Sequence, residues 1–250
     1  MNTRKRIVIV GATSLIAEHC ARLWVAASPA DITLVGRDDA RLTQIAADLR
    51  VRAAHSTVTT RTSGFSSASD IDATVAAVCA GDPVDIVLIA HGMLPDQAAC
   101  QNDLEAVRTA LEVNALSPVL FAEAFARHMM HQAAGTIALI GSVAGDRGRK
   151  SNYVYGAAKG LVERYAEGLR HRFGAGPLTI VLVKPGPTAT PMTAHLQGSA
   201  TGLAPVETVA GDIVAGIARG TAVIYTPGKW RVIMLVIRHL PAFIFNKLDI

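Results

Sequence analysis

An α/β fold, a parallel sheet doubly wound with helices on both faces, is what the sequence predicts, and two observations predict it. Short β-branched apolar runs alternate with longer amphipathic stretches, and the runs are apolar throughout instead of alternating with polar residues. A strand that is apolar on both sides needs cover on both sides, which crossover helices on a parallel sheet supply. Six runs read as strands, at 7–10, 32–35, 84–90, 136–140, 179–183 and 222–225. Patterns of helical period and length fill the gaps, at 18–27, 40–49, 70–79, 104–130, 152–173 and 206–219. Within the Thr- and Ser-rich stretch 51–69, residues 56–60 read as a further strand followed by a loop. No internal repeat or low-complexity linker divides the 250 residues, so 1–250 reads as one domain in which 229–250 forms an amphipathic tail.

Half of the residues are hydrophobic and 18% are charged, which excludes a disordered chain. The positive mean hydropathy of +0.33 points to a large buried interface or a membrane-facing patch. The net charge of +4 is spread along the chain without interleaved aromatics, so a nucleic-acid partner is not expected. An anionic cofactor or a phosphate-bearing substrate would use that charge. Cys20, Cys79 and Cys100 are odd in number and lack metal-ligand spacing; His91, His128 and His195 have no paired ligands. No metal site is expected, and the compartment reads as reducing and cytoplasmic. The run 7–10 is too short for a signal-peptide core, and no apolar segment reaches the ~20 residues of a spanning helix.

Gly11 closes the first strand and opens Gly11-Ala12-Thr13-Ser14-Leu15-Ile16-Ala17 just before a helix. A tight turn there lets backbone N–H groups and a helix N-terminus meet a pyrophosphate. The second strand ends at Val35-Gly36-Arg37, where an acid would read an unphosphorylated ribose. Arg37 suits a 2′-phosphate instead, which favours NADP(H) over NAD(H). The alternative is a solvated Arg37 beside an Asp38 that caps the next helix.

Tyr155 and Lys159 lie four apart in a helical pattern and so share a face. A phenol with an ordinary pKa of about 10 is a poor acid or base near neutrality, and a neighbouring ammonium favours its ionised form. Ser142 follows the strand 136–140, where parallel-sheet enzymes place their chemistry, and its hydroxyl can polarise a carbonyl. Pro185-Gly186 follows the next strand. Any one of these is weak; their order and spacing together carry the reading.

In this combination the chain resembles the short-chain dehydrogenase/reductase family along essentially its whole length. The resemblance implies a Rossmann fold and hydride transfer between a nicotinamide and a carbonyl or alcohol carbon. It assigns Ser142, Tyr155 and Lys159 as the catalytic set, with Asn114, in Glu112-Val113-Asn114-Ala115, holding a water-linked proton relay. Ala90-His91-Gly92 would line the adenosine side, and Pro185-Gly186-Pro187-Thr188-Ala189-Thr190 would bracket the carboxamide. A homodimer or homotetramer through 104–130 and 152–173 is also implied. Two departures stand out: Leu15 and Ala17 occupy family glycine positions, and Thr60-Arg61-Thr62-Ser63-Gly64 lacks the adenine-binding Asp.

Three segments are similar to a narrower set, the decaprenylphosphoryl-2-keto-ribose reductase group: 142–149, 191–196 and 225–248. That likeness implies a polyprenyl-phosphate-linked keto-sugar as substrate in cell-envelope synthesis. Arg147, Arg149 and Lys150 would then face an anionic group or simply be solvated. The tail's Trp230, Ile233, Met234 and Phe243, interrupted by Lys229, Arg231, Arg238 and Lys247, suits peripheral contact with the inner face of a membrane, a subunit interface or a cover for the active site. The alternatives are a general carbonyl or 3-oxoacyl reductase, and a non-catalytic NADP(H)-binding sensor.

Overall fold

The structure, a computed structural model, describes residues 4–196 and 202–248, without the side chains of His195 and Leu196. Where the His195 side chain points therefore lies outside the described residues.

Seven parallel strands form one sheet in the order β3-β2-β1-β4-β5-β6-β7. They are β1 Lys5–Val10, β2 Ala30–Gly36, β3 Thr57–Thr62, β4 Ile86–Ile89, β5 Gly135–Ile140, β6 Leu178–Pro185 and β7 Val223–Thr226. Each predicted run is present, including the segment in 51–69, while the run at 84–90 pairs only over its centre. β4 shows the rule at its simplest, since Ile86, Val87, Leu88 and Ile89 are all buried. One side of the sheet packs Ile7, Ile9, Ile32 and Leu34 against helices α1 (Leu15–Ala27), α2 (Asp39–Arg52) and α8 (Val206–Ala218). The other packs Val8, Val10, Val87 and Ile89 against α3 (Ala68–Val78), α6 (Ser117–Met129) and α7 (Tyr153–Phe173). Burying such apolar area at about 25 cal/mol per Å² is the chief term holding the layers together.

The chain leaves β1 towards β2 on one side, and β4 lies on the other. This reversal of strand order opens a crevice at the carboxyl ends of β1 and β4. The pattern 104–130 is one helical path in three parts: α5 Leu104–Leu111, a π-type turn Glu112–Leu116, and α6. A short α4, Gln97–Asn102, precedes it. The tail forms α9, Lys229–His239, and a single turn α10, Ala242–Phe245. Among the described residues no helix is long and apolar enough to cross a membrane.

Candidate active site and cofactor cleft

A cavity of about 810 Å³ occupies the crevice. Gly11, at its floor, has φ +78°, a conformation that disfavours any side chain. A Cβ at Gly11 would also sit 2.5 Å from the His91 backbone nitrogen, so the β1 turn and the β4 turn touch only because this residue is glycine. The turn is held by bonds from the Gly11 and Ala12 N–H groups to the Val35 carbonyl, at 2.8 and 3.1 Å. Thr13, Ser14, Leu15 and Ile16 line the cavity at the N-terminus of α1. Ala17, at a family glycine position, is fully buried in the core, while Leu15 faces the cleft.

Arg37 lies exposed at the cavity edge, with Arg41 as a second cation that the sequence reading did not single out. Asp38 caps α2, accepting a 3.0 Å bond from the Arg41 N–H. Ala90, His91 and Gly92 line the cavity with Thr190. The His91 ring packs edge-on against Phe65 and Phe121, at 4.7 and 5.6 Å, and its Nε2 is 2.9 Å from the Ser117 hydroxyl. Burial, followed by the charges of Lys159 and Arg37, pushes its pKa down to about 3, so His91 is neutral at ordinary pH. Phe65 and Ser117 were not among the expected residues. Their only trace in the sequence is their place after β3 and at the start of α6.

Pro185, Gly186 and Thr188 do not line this cavity. Pro185 ends β6, and the Trp230 indole covers Gly186 so closely that a Cβ there would lie 1.9 Å from Nε1. Thr188 is buried, with its hydroxyl donating 2.9 Å to the Gly186 carbonyl.

The π-type turn carries Asn114, which is fully buried. Its Nδ2 donates to the Ala110 carbonyl at 3.0 Å, and its Oδ1 accepts from the Met93 N–H at 2.8 Å. Gly92 sits between Asn114 Oδ1 and Lys159 Nζ, which a Cβ there would meet at 2.9 and 3.6 Å. Gly92 of the cavity wall thus backs onto the Asn114–Lys159 corner, while Asn114, Ser142, Tyr155 and Lys159 do not themselves line this cavity.

Ser142 sits beyond β5 and begins a 3-10 turn, Val143–Asp146, with its Oγ accepting 3.1 Å from the Ala144 N–H. That turn lies on the backbone of α7, where a Cβ on Gly145 would be 2.8 Å from the Lys159 carbonyl carbon and one on Gly156 would be 2.9 Å from the Ala144 oxygen. This close approach brings Ser142 near enough to the Tyr155 phenol to favour its ionised form. Lys159 is 3% exposed; its Nζ donates 3.0 Å to the Ile140 carbonyl and lies 5.8 Å from the centre of the Tyr155 ring.

The electrostatics differ from the expectation of a phenol made acidic by its lysine. Burial raises the Tyr155 pKa, and the nearby Ser142 offsets this only in part. Burial also lowers Lys159, to about 8. The reason is that the ammonium is turned to a backbone carbonyl in a dry site, where each charge costs more than the distant partner returns.

Behind the turn lies a buried ionic cluster that sequence reading missed. Lys184, 1% exposed near the end of β6, pairs with Asp146 and, at 2.8 Å, with Glu163 of α7. The Tyr225 hydroxyl donates to Asp146 at 3.1 Å. Burial alone would lower the Lys184 ammonium, but its bonds to the two carboxylates outweigh this and hold it above its ordinary value. The only sequence signal is a lysine inside an apolar strand. Arg147, expected towards a substrate anion or solvent, instead donates to the Ile237 and Leu240 carbonyls, at 2.5 and 2.6 Å, and stacks 3.7 Å from the Phe245 ring. Arg149 is half-buried, and burial lowers its pKa.

A seven-stranded doubly wound sheet with a glycine-floored cleft beside a Ser, Tyr and Lys group defines a dinucleotide-dependent class of fold. The family model for short chain dehydrogenase matches residues 5–200, and the chain belongs to that family. It is an oxidoreductase of CH–OH and C=O groups. An uncharacterized oxidoreductase of Streptomyces coelicolor, from the mprA 5′ region, is 28% identical over 98% of this chain and 96% of its own length. A short-chain dehydrogenase from Sphingobium yanoikuyae in complex with NADPH superposes with a TM-score of 0.81 at 22% identity, covering 98% of this chain and 96% of that one. The 3-oxoacyl-[acyl-carrier protein] reductase from Brucella melitensis in complex with NAD gives a TM-score of 0.79 at 22% identity, over 93% and 99% of the two chains.

Proposed function

We propose that the protein is an NADP(H)-dependent carbonyl reductase in which Tyr155 gives its proton to the substrate oxygen. The observation that supports this is the grouping of Ser142, Tyr155 and Lys159 where the turn after β5 packs on α7, with Lys159 and Asn114 directly behind Gly92 of the cleft wall. The residues fit a dinucleotide: the Gly11 turn leaves room for a backbone-lined phosphate site, and Arg37 at the cavity edge, with Arg41 beside it and paired to Glu18 at 3.3 Å, supports a 2′-phosphate. When bound, the nicotinamide supplies the hydride.

Ser142 orients the carbonyl oxygen. Tyr155, whose raised pKa keeps it protonated near neutrality, acts as the acid of the reductive direction. The carbonyl π bond opens as the carbon gains hydride, and the oxygen takes the phenolic proton. Lys159, with a pKa of about 8, restores that proton, and Asn114 positions the Gly92–Met93 backbone beside it.

Lys159 is charged below that value and neutral above it. Reduction is therefore expected to be flat below pH 8 and to fall about tenfold per unit well above it. A kcat–pH profile tests this; Lys159→Arg should carry the descending limb to higher pH. Arg37→Ala is expected to raise the KM for NADPH about tenfold or more and to leave that for NADH nearly unchanged, read from initial rates with each coenzyme. Equal effects on both would remove Arg37 from phosphate recognition.

For the substrate, the likeness of 142–149, 191–196 and the tail to the keto-sugar reductase group supports a polyprenyl-phosphate-linked ketone. Soluble ketones and 3-oxoacyl thioesters are the alternative substrates. In this reading residues 1–250 act as one unit in a homodimer or homotetramer. The free thiols of Cys20, Cys79 and Cys100 support a reducing cytoplasm, with peripheral placement on the inner membrane face through 229–250. Turnover of a keto-sugar polyprenyl phosphate against a soluble ketone panel, followed by NADPH oxidation, decides between the substrates.

A further inference from the structure

We infer that the outer face of α9 and α10 is a docking surface for an anionic lipid bilayer. This deepens the peripheral placement just proposed and rests on it only for the choice of membrane, not for its physical basis.

α9 is apolar on two opposite sides. Trp230, Met234 and Ile237, spaced by four and three, pack inward with Val143 and Tyr225. Val232, Leu235 and Val236 follow the same spacing rule on the opposite side, where nothing among the described residues covers them: they are 65%, 60% and 57% exposed. Phe243 on α10 is a further exposed apolar side chain, at 71%. A helix that needed only to cover the body would be polar on its outer side.

The charges around the strip have one sign. Lys229, Arg231, Arg238 and Lys247 are all exposed, and from 213 to 248 the chain has no Asp or Glu; the tail's one acid, Asp249, lies outside the described residues. Arg231 and Arg238, seven apart, stand together on one flank of the helix. A second copy docked on this face through a two-fold axis would set these cations against their own equivalents with no carboxylate of the segment to pair them. An anionic headgroup layer over an acyl interior satisfies both the cations and the apolar strip.

The strip is also rigidly mounted. Arg147 binds the carbonyl end of α9 and stacks on Phe245, and Trp230 is wedged on Gly186. A bilayer held by α9 would therefore be separated from the Ser142 turn and the end of β6 by about one helix diameter, roughly 10 Å.

The test is flotation of the full chain, without substrate, with vesicles of phosphatidylcholine alone or mixed equally with phosphatidylglycerol. We expect at least about tenfold stronger binding to the anionic vesicles, weakened by added salt. Val232→Ser/Leu235→Ser/Val236→Ser should reduce this binding about tenfold or more, with melting temperature and soluble-ketone turnover unchanged, because these side chains are exposed. Arg231→Gln/Arg238→Gln should erase the preference for anionic vesicles. Absence of vesicle binding overturns the inference, as does binding that both variants retain. A dimer that the triple variant converts to monomer, without vesicle binding, assigns the face to a second copy and also overturns it. Vesicle binding needs no turnover and ketone reduction needs no vesicle, so failure of one is distinguishable from failure of the other.

Discussion

Tyr155→Phe is expected to lower kcat for ketone reduction by about 10²–10⁴-fold while leaving NADPH affinity and thermal stability close to those of the parent. The phenyl ring keeps the packing of α7 against the Ser142 turn and removes only the hydroxyl. What is lost is the proton donor beside Ser142. No other phenol replaces it: Tyr225 is committed to Asp146, Tyr165 donates to Glu123, and Tyr153, two residues before Tyr155 on α7, projects from another side of the helix and is exposed. Initial rates with a soluble ketone, together with NADPH fluorescence titration, measure both quantities. Retention of the parent kcat would overturn the role given to Tyr155, and loss of coenzyme binding in step with activity would make it a cofactor anchor instead.

Lys184→Met is expected to be the most damaging change outside the cleft. It keeps a side chain of similar length but leaves Asp146 and Glu163 buried without their shared counter-charge. Removing one partner of a buried ion pair costs about 3–5 kcal/mol. For a chain of this size that corresponds to a fall of roughly 6–20 °C in Tm. The cluster joins the turn after Ser142 to α7 one helical turn beyond Lys159 and to the end of β6. Activity measured below the new Tm should therefore fall as well. A thermal melt within a few degrees of the parent would show that the charges are solvated and that the cluster does not hold the turn.

The sheet was legible because its signal is local: a parallel strand buried on both faces announces itself within four to eight residues. The spacing of Tyr155 and Lys159, and the place of Ser142 at the end of β5, could be read for the same reason. Features that depend on distant partners could not. Lys184 looks like an interruption of an apolar strand until Asp146 and Glu163 are brought to it. Arg147 looks like an anion ligand until the carbonyls of α9, about 90 positions later, arrive beside it. The π-type turn at Asn114 leaves the apolar period on both sides intact, so 104–130 reads as one helix. Spacing suggested that Lys159 would acidify Tyr155, but it carries no information about burial, which acts on both groups and prevails.

The mounting of Trp230 on Gly186 and of Arg147 on α9 has a consequence for exchanging parts between relatives. The C-terminal helix is a keystone rather than an appendage. A chimera that imports another homologue's counterpart of 229–248 must import the matching occupants of 143, 147 and 186 with it. Shortening the chain before Trp230 would strip a plug from the loop beyond β6 and unseat the serine's neighbourhood in one stroke.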